Sequence, residues 1–344
     1  VAQVPSKYTT IKEAMEHALD GKATLLYAQG SNIWRNQELQ KNGELGKPIN
    51  WGDETEMKNE ALKIAKEADV IVCAMGECAD MSGECGSRTN LEMPDVQHEL
   101  LAELVKLGKP VVLLNFAGRP TVLTWEKQHV PAIMNVWFGG SEMGDALCDV
   151  LFGDKVPSGK LTTSMPKTTG QEPIYYNHQN TGRPVADDNQ KFAKFASNCL
   201  DVSNGPLYPF GYGLSYTTFE YSNFRLSSQE ADINGNQEAT EWQNGKNITA
   251  TITVKNTGNR DADEIVQLYI RDMVASISRP VKELKGFQRI HLAVGESKEV
   301  SFEITPDMLK FYNADLKHII EPGDFQIMIG TNSKEVEALN FNVK

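Results

Sequence analysis

The 344-residue sequence is short of several things, and each shortage closes off a class of function. No apolar run reaches the roughly 18–20 residues that a bilayer-crossing helix needs, so membrane insertion is not expected. Basic residues are in deficit: 34 Lys and Arg stand against 46 Asp and Glu, a formal net charge of −12. Nucleic acids and anionic surfaces are gripped by an excess of Lys and Arg, so neither is an expected partner. Cysteine is scarce and odd in number, five in all, which gives no disulfide framework. Cys78 and Cys85 are separated by six residues, a wider gap than a usual metal clip, and no His-x-His or second Cys pair follows. No metal and no cofactor are therefore expected, although an oxidising compartment would allow a disulfide between these two.

What is present reads as two domains or three, on a soft prior of about 150 residues each. Up to residue 165 the pattern alternates. Helical spacing covers Thr9–Gly21, Glu56–Ala68, Asp95–Leu107, Val122–Gln128 and Ser141–Phe152. Short apolar runs cover Thr24–Ala28, Val70–Ala74, Val111–Phe116, Ala132–Phe138 and Leu161–Met165. Continuous apolar strands between amphipathic helices imply an α/β three-layer sandwich with a mostly parallel sheet. Residues 166–215 are punctuated by Pro166, Pro173, Pro184, Pro206 and Pro209 and lack periodicity, yet carry Tyr175, Tyr176, Phe192, Phe195, Tyr208, Phe210 and Tyr212. That aromatic content argues for a segment draped on a surface rather than a solvated linker. From 216 to 344 the pattern is all β: Ile248, Ala250, Ile252 and Val254 alternate with polar residues, then Glu264–Ile270, Val300, Phe302 and Ile304, and Phe325–Gly330. About seven short strands with regular turns predict a β-sandwich, and the lack of a Cys…Trp…Cys pattern makes it fibronectin-III-like.

Ligands of a parallel α/β sheet sit in loops beyond the carboxyl ends of its strands. One such loop is Met75-Gly-Glu-Cys-Ala-Asp-Met-Ser-Gly-Glu-Cys-Gly-Ser-Arg88, directly after an apolar run; Asn115–Pro120 and Trp137–Glu142 are two more. Its glycines, at 76, 83 and 86, do not make G-x-G-x-x-G, and no Lys-Ser/Thr follows, so it is a poor phosphate cradle. No His lies nearby to activate Cys78 or Cys85 as a nucleophile. Two glutamates, Glu77 and Glu84, remain, with Glu84 between Gly83 and Cys85-Gly86, where the chain can bend and approach a ligand. Arg88 is placed to pair with a carboxylate or a substrate oxygen. The plain alternative is that all three are solvated loop charges. His98, within a helix, reads as a boundary residue; His178, in the draped segment, is open between a packing role and a ligand contact.

Several motifs together resemble one family, the family 3 glycoside hydrolases, which include β-glucosidases and β-xylosidases. They are Gly76-Glu77, Ser82-Gly-Glu-Cys-Gly-Ser-Arg88, Leu91-Glu-Met-Pro-Asp-Val-Gln97, Gly108–Pro120, Trp137–Gly144, Asp149–Asp154, Pro157-Ser-Gly-Lys-Leu161, Leu207–Tyr216 and Ser278–Phe287. They are long and fall in the family's order across nearly the whole chain. The resemblance implies an α/β sandwich domain over 1–165, a draped segment over 166–215 and a fibronectin-III-like sandwich over 216–344. It also implies a retaining, exo-acting β-glucosidase type of activity on terminal β-D-glucosyl residues or other β-linked oligosaccharides. The acid/base would be Glu84, with Glu77 the runner-up; Arg88 and Arg183 would contact substrate or orient its surroundings. A periplasmic or secreted location follows from the same likeness.

The family's nucleophile is an aspartate of an N-terminal TIM-type barrel, and no Ser-Asp-Trp or Ser-Asp-His segment here could supply it. The chain starts Val-Ala-Gln, without Met or a signal-peptide core. The expectation is a C-terminal portion whose partner is the barrel of the same polypeptide, inactive by itself. Two other readings stand beside it: a non-catalytic carbohydrate-binding or adhesion module, and a nucleotide-binding α/β protein.

Overall fold

The computed structural model describes residues 8–36, 52–78, 81–84, 86–185, 187–189 and 192–344. The described residues fall into two compact units, one formed by residues 1–155 with 165–172, the other by 156–164 with 173–344.

The first unit is built on three parallel strands, β1 (Ile71–Gly76), β2 (Val111–Phe116) and β3 (Ala132–Asn135), in the order β1-β2-β3. Among the described residues five helices accompany them: α1 (Ile11–Leu19), α2 (Glu54–Glu67), α3 (Asp95–Val105), α4 (Thr124–His129) and α5 (Met143–Leu151). The strand period of two divides β1 between two cores. Ile71, Cys73 and Met75 pack with Ala61 and Ala65 of α2 and with Leu100, Leu101 and Leu104 of α3. Val72 turns the other way, to Ala14 and Met15 of α1 and Cys148 of α5. That is the three-layer arrangement, with helices on both faces of a parallel sheet.

Local chemistry sets the helix ends. Thr10 and Glu13 form a reciprocal capping box at the start of α1, and Asp53 accepts from the N–H groups of Thr55 and Glu56 at the start of α2. Two expected strands are not there. Thr24–Ala28 is extended but pairs with no strand among the described residues; Leu26 and Tyr27 face solvent while Leu25 packs beside α1. Leu161 instead exchanges backbone hydrogen bonds with Gly211 and Tyr212, 2.7 and 2.8 Å long, inside the second unit. An apolar run becomes a strand only where a neighbour offers its backbone.

The second unit is a two-sheet sandwich. One sheet has the order β5 (Glu230–Ala231), β13 (Val336–Val343), β12 (Gly323–Gly330), β7 (Ala262–Asp272), β8 (Glu283–Leu292). The other has the order β4 (Phe219–Leu226), β6 (Ile248–Asn256), β9 (Ser297–Ile304). A short turn of helix, α6 (Pro306–Leu309), and a small pair, β10 (Phe311–Tyr312) with β11 (His318–Ile319), complete it. Between the sheets, Ile252, Val254, Val266, Leu268, Ile304, Ile327 and Phe341 fill one core. β9 shows the alternation that drives this: Val300, Phe302 and Ile304 point in, Glu299, Ser301 and Glu303 out.

Part of the Pro-punctuated segment is bound to this sandwich. Tyr176 stacks on Phe210 at 4.3 Å, meets Tyr269 edge-on, and accepts from the Leu284 N–H. The carbonyl of His178 accepts from the Val281 N–H, and its Nδ1 lies 3.1 Å from the Gln179 carbonyl, so this histidine is held at the surface by backbone contacts. Lys160 brings a charge into the same unit. Its Nζ lies 3.2 Å from the buried Glu264 carboxylate and 3.0 Å from Thr331 Oγ1. Tyr221 and Thr331 also donate to Glu264.

Candidate active site

The loops that follow β1, β2 and β3 all leave the carboxyl end of the sheet, where α/β folds place ligands. The first opens at Gly76, whose φ of +131° suits glycine; a Cβ there would lie 1.9 Å from the Phe116 carbonyl oxygen. Gln97, buried in the first turn of α3, clamps the strand end from the side. Its Oε1 accepts from the Gly76 N–H at 2.7 Å, and its Nε2 donates to the carbonyls of Gly76 and Ile33, both at 2.9 Å.

Glu77 comes next, and its side chain is 1% exposed. Three donors meet its carboxylate. Arg88 Nη1 lies 2.6 Å from one oxygen, Arg119 Nε is 3.3 Å away, and the Ser82 hydroxyl donates to the second oxygen. The two guanidiniums extend the brace. Arg88 Nη2 donates to the Glu92 carbonyl at 2.9 Å, and its planar group lies over the Trp34 ring. Arg119 Nη2 donates to the carbonyls of Met81 and Gly86. Ser82 Oγ in turn accepts from the Gly118 N–H at 3.2 Å. One buried carboxylate thus ties the loop after β1 to the loop after β2.

The third loop joins by close packing. A Cβ on Gly118 would meet both the Ser82 side chain and the Phe138 ring, at 2.6 and 2.9 Å. Trp137 holds a left-handed φ of +59°, a conformation that a bulky side chain adopts only under constraint.

Glu84 has the opposite setting. It is exposed, at the second position of a turn closed by the Gly86 N–H donating to the Gly83 carbonyl at 3.1 Å. The loop that carries it is held by the buried group of Glu77, Arg88 and Arg119. The structure therefore brings Glu77 and Arg88 together as a buried pair. Arg183 belongs to the second unit, where it is exposed and its carbonyl accepts from the Ser197 N–H. Arg119, Ser82 and Gln97 received no role from sequence reasoning. Arg119 stands in Ala-Gly-Arg-Pro at a strand end, but nothing local in the sequence names its partner.

The thiols offer little chemistry. Burial pushes Cys73 up to about 12 and raises Cys148, beside Asp145 and Asp149, so neither supplies a thiolate near neutrality. Cys85 lies outside the described residues, and with it the question of a Cys78–Cys85 disulfide. Among the described residues no group of three or more His, Cys, Asp or Glu is arranged to hold a metal ion. His98, whose Nδ1 is 3.1 Å from the buried Glu126, serves helix packing beside Trp125.

Fold and site together define a class: an α/β unit with a braced carboxylate loop, joined to a fibronectin type III-like sandwich. Comparison with known proteins names the family. Residues 2–216 match the glycosyl hydrolase family 3 C-terminal domain, and residues 264–333 match the fibronectin type III-like domain. The chain is 43% identical to a periplasmic beta-glucosidase of Salmonella typhimurium, over 99% of its own length and 43% of that protein's. It is 34% identical to a beta-xylosidase of Formosa agariphila, over 99% of its length and 42% of that protein's. The crystal structure of a beta-glucosidase from Listeria innocua in complex with gluconolactone superposes with a TM-score of 0.76 at 38% identity, covering 83% of this chain and 38% of that one. This chain belongs to glycosyl hydrolase family 3, and it spans less than half the length of the curated relatives it matches.

Proposed function

We propose that this chain is the proton-donating C-terminal portion of a retaining, exo-acting β-glycosidase, and that Glu84 is its general acid/base. One observation carries the reading. Of the two glutamates in Met75–Arg88, Glu77 is consumed by a buried pair with Arg88, whereas Glu84 stands exposed on a turn anchored to that pair. A proton donor must reach the glycosidic oxygen and be held in place; the tip of a braced loop provides both. In the retaining mechanism the two carboxyls lie about 5–5.5 Å apart. Glu84 protonates the departing oxygen while a carboxylate nucleophile takes the anomeric carbon. It then receives a proton from the water that releases the sugar. The nucleophile, on the family resemblance, comes from a TIM-type barrel, so these 344 residues alone hydrolyse nothing appreciable.

The substrate class is a terminal β-D-glucosyl residue, supported by the names of the Salmonella and Listeria relatives. A periplasmic or secreted location is supported by the name of the Salmonella relative. In a polypeptide that carries these residues together with a nucleophile-bearing domain, Glu84→Ala should lower turnover most for poor leaving groups, with recovery in added azide. Loss that is equal for all leaving groups and unrescued would refute the assignment. The 344-residue chain, assayed on an aryl β-glucoside, should show no turnover; ordinary glycosidase rates from it would overturn the missing-nucleophile reading.

A further inference from the structure

The sandwich carries a cleft that the glycosidase reading does not use. It measures about 440 Å³ and is lined by Ser215, Tyr216, Thr217 and Thr218 on one side and by Thr257, Gly258 and Asn259 on the other. It is a shallow concavity, open to solvent over most of its extent.

Its floor is rigid. Asn256 is fully buried and uses its whole amide: Nδ2 donates to the carbonyls of Arg260 and Leu292, and Oδ1 accepts from the Thr217 hydroxyl at 2.7 Å and the Gly258 N–H at 3.1 Å. Gly258 is required there, since a Cβ would lie 2.1 Å from Thr217 Oγ1. Both sides of the cleft are thus tied to one buried side chain and are formed in advance of any ligand.

The lining is neutral and rich in hydroxyls. Thr257 Oγ1 lies 3.2 Å from the Thr218 carbonyl and donates to it. The 2.9 Å contact between the two threonine hydroxyls is then donated by Thr218, which leaves Thr218 Oγ1 as an acceptor. The Ser215 hydroxyl oxygen is buried and has no hydrogen-bond partner among the described residues. A buried hydroxyl without a partner costs about 1–3 kcal/mol. Asn259 offers an exposed amide, and Tyr216, 41% exposed, an aromatic surface. Among the described residues no lysine, arginine, aspartate or glutamate lines the cleft, although the charge of Arg260, next to Asn259, acts on the Tyr216 phenol.

Hydroxyl oxygens that accept, one amide that donates and one aromatic face match a pyranose ring, whose C–H face packs on an aromatic surface while its hydroxyls both donate and accept. We propose that this cleft is a second, non-catalytic site for a neutral sugar. It would hold a glucosyl unit on the sandwich independently of the loop that carries Glu84.

The test is an NMR titration of the ¹⁵N-labelled 344-residue chain with methyl β-D-glucoside, with sodium sulfate as a charged control. The expected result is saturable shifts of the Tyr216, Thr218, Gly258 and Asn259 amides in the millimolar range with the glucoside and none with sulfate. Tyr216→Ala should weaken binding about tenfold, Asn259→Ala roughly threefold to tenfold, and Glu84→Gln not at all. Asn259→Ala carries the test if Tyr216→Ala fails to fold. Shifts absent from these amides, an affinity unchanged in the folded cleft variants, or binding lost with Glu84→Gln would each overturn the proposal. Because Glu84→Gln is silent here and decisive for hydrolysis, the two readings fail separately.

Discussion

Replacing Glu77 by Gln isolates the brace from the chemistry. The variant keeps the shape of the side chain and an oxygen for the Ser82 hydroxyl, but leaves the guanidiniums of Arg88 and Arg119 without their carboxylate. Those side chains are 7% and 18% exposed, so water replaces the lost partner poorly. Removing one member of a buried ion pair costs about 3–5 kcal/mol. Here the lower end applies, because Arg88 keeps the Glu92 carbonyl and Arg119 keeps those of Met81 and Gly86. A loss of about 3 kcal/mol corresponds to roughly 6–12 °C in the melting of a unit of this size. Calorimetry of the 344-residue chain should show that drop in the transition of the α/β unit and none in that of the sandwich. Arg88→Gln in the same background should add less than it costs alone, since the two positions share one interaction. In an enzyme that contains this chain, Glu77→Gln should lower turnover to a similar degree for good and poor leaving groups, without azide rescue. A thermally silent variant with a leaving-group-dependent, azide-rescued loss would refute the reasoning and make Glu77 the proton donor.

Two predictions concern the sandwich. Lys160→Met leaves Glu264, buried at 2% exposure, with only the Tyr221 and Thr331 hydroxyls, and should lower stability by about 3–5 kcal/mol in chemical denaturation; Lys160→Met with Glu264→Gln should recover most of it, and a neutral single variant would deny the pair a stabilising role. Asp272 is raised above the ordinary aspartate value by burial, and the Arg279 guanidinium 3.7 Å away opposes this without reversing it. The folded state therefore holds the Asp272 proton more tightly than the unfolded chain. The associated stability is fully present below the ordinary aspartate value and is lost as pH rises through the folded one. Asp272→Asn should flatten the fall in sandwich stability as pH rises above the ordinary aspartate value, and an identical slope in the variant would contradict the sign.

The α/β layers were legible because they rest on periodicity alone. The run Val111–Phe116 is a strand to the residue, and the capping residues Thr10 and Asp53 mark helix starts that the sequence itself carries. The sandwich was legible wherever one face is buried, as in β6 and β9. It was less so in β4 and β13, whose half-buried, polar-rich stretches show no clean alternation. Thr24–Ala28 and Leu161–Met165 failed for a common reason. Hydrophobic character says that a segment is buried, but pairing depends on which backbone lies beside it, and that is a property of the assembled fold.

The site poses the harder case, because the loop contains the tripeptide Gly-Glu-Cys twice, at 76–78 and at 83–85. Nothing local distinguishes Glu77 from Glu84, and yet one is buried and the other exposed. The difference comes from parity and from charge. Glu77 follows the strand directly and keeps the odd register of Ile71, Cys73 and Met75, which face the interior of the unit. A carboxylate sent inward needs cations, and Arg88 and Arg119 arrive from two separate loops to meet it. By position 84 the chain has left the strand register and turned between two glycines, so no inward direction is imposed. Parity was readable in the sequence once the strand end was placed at Gly76. The second arginine, forty-two residues further on, was not, because only the pairing of β2 beside β1 brings it to the loop.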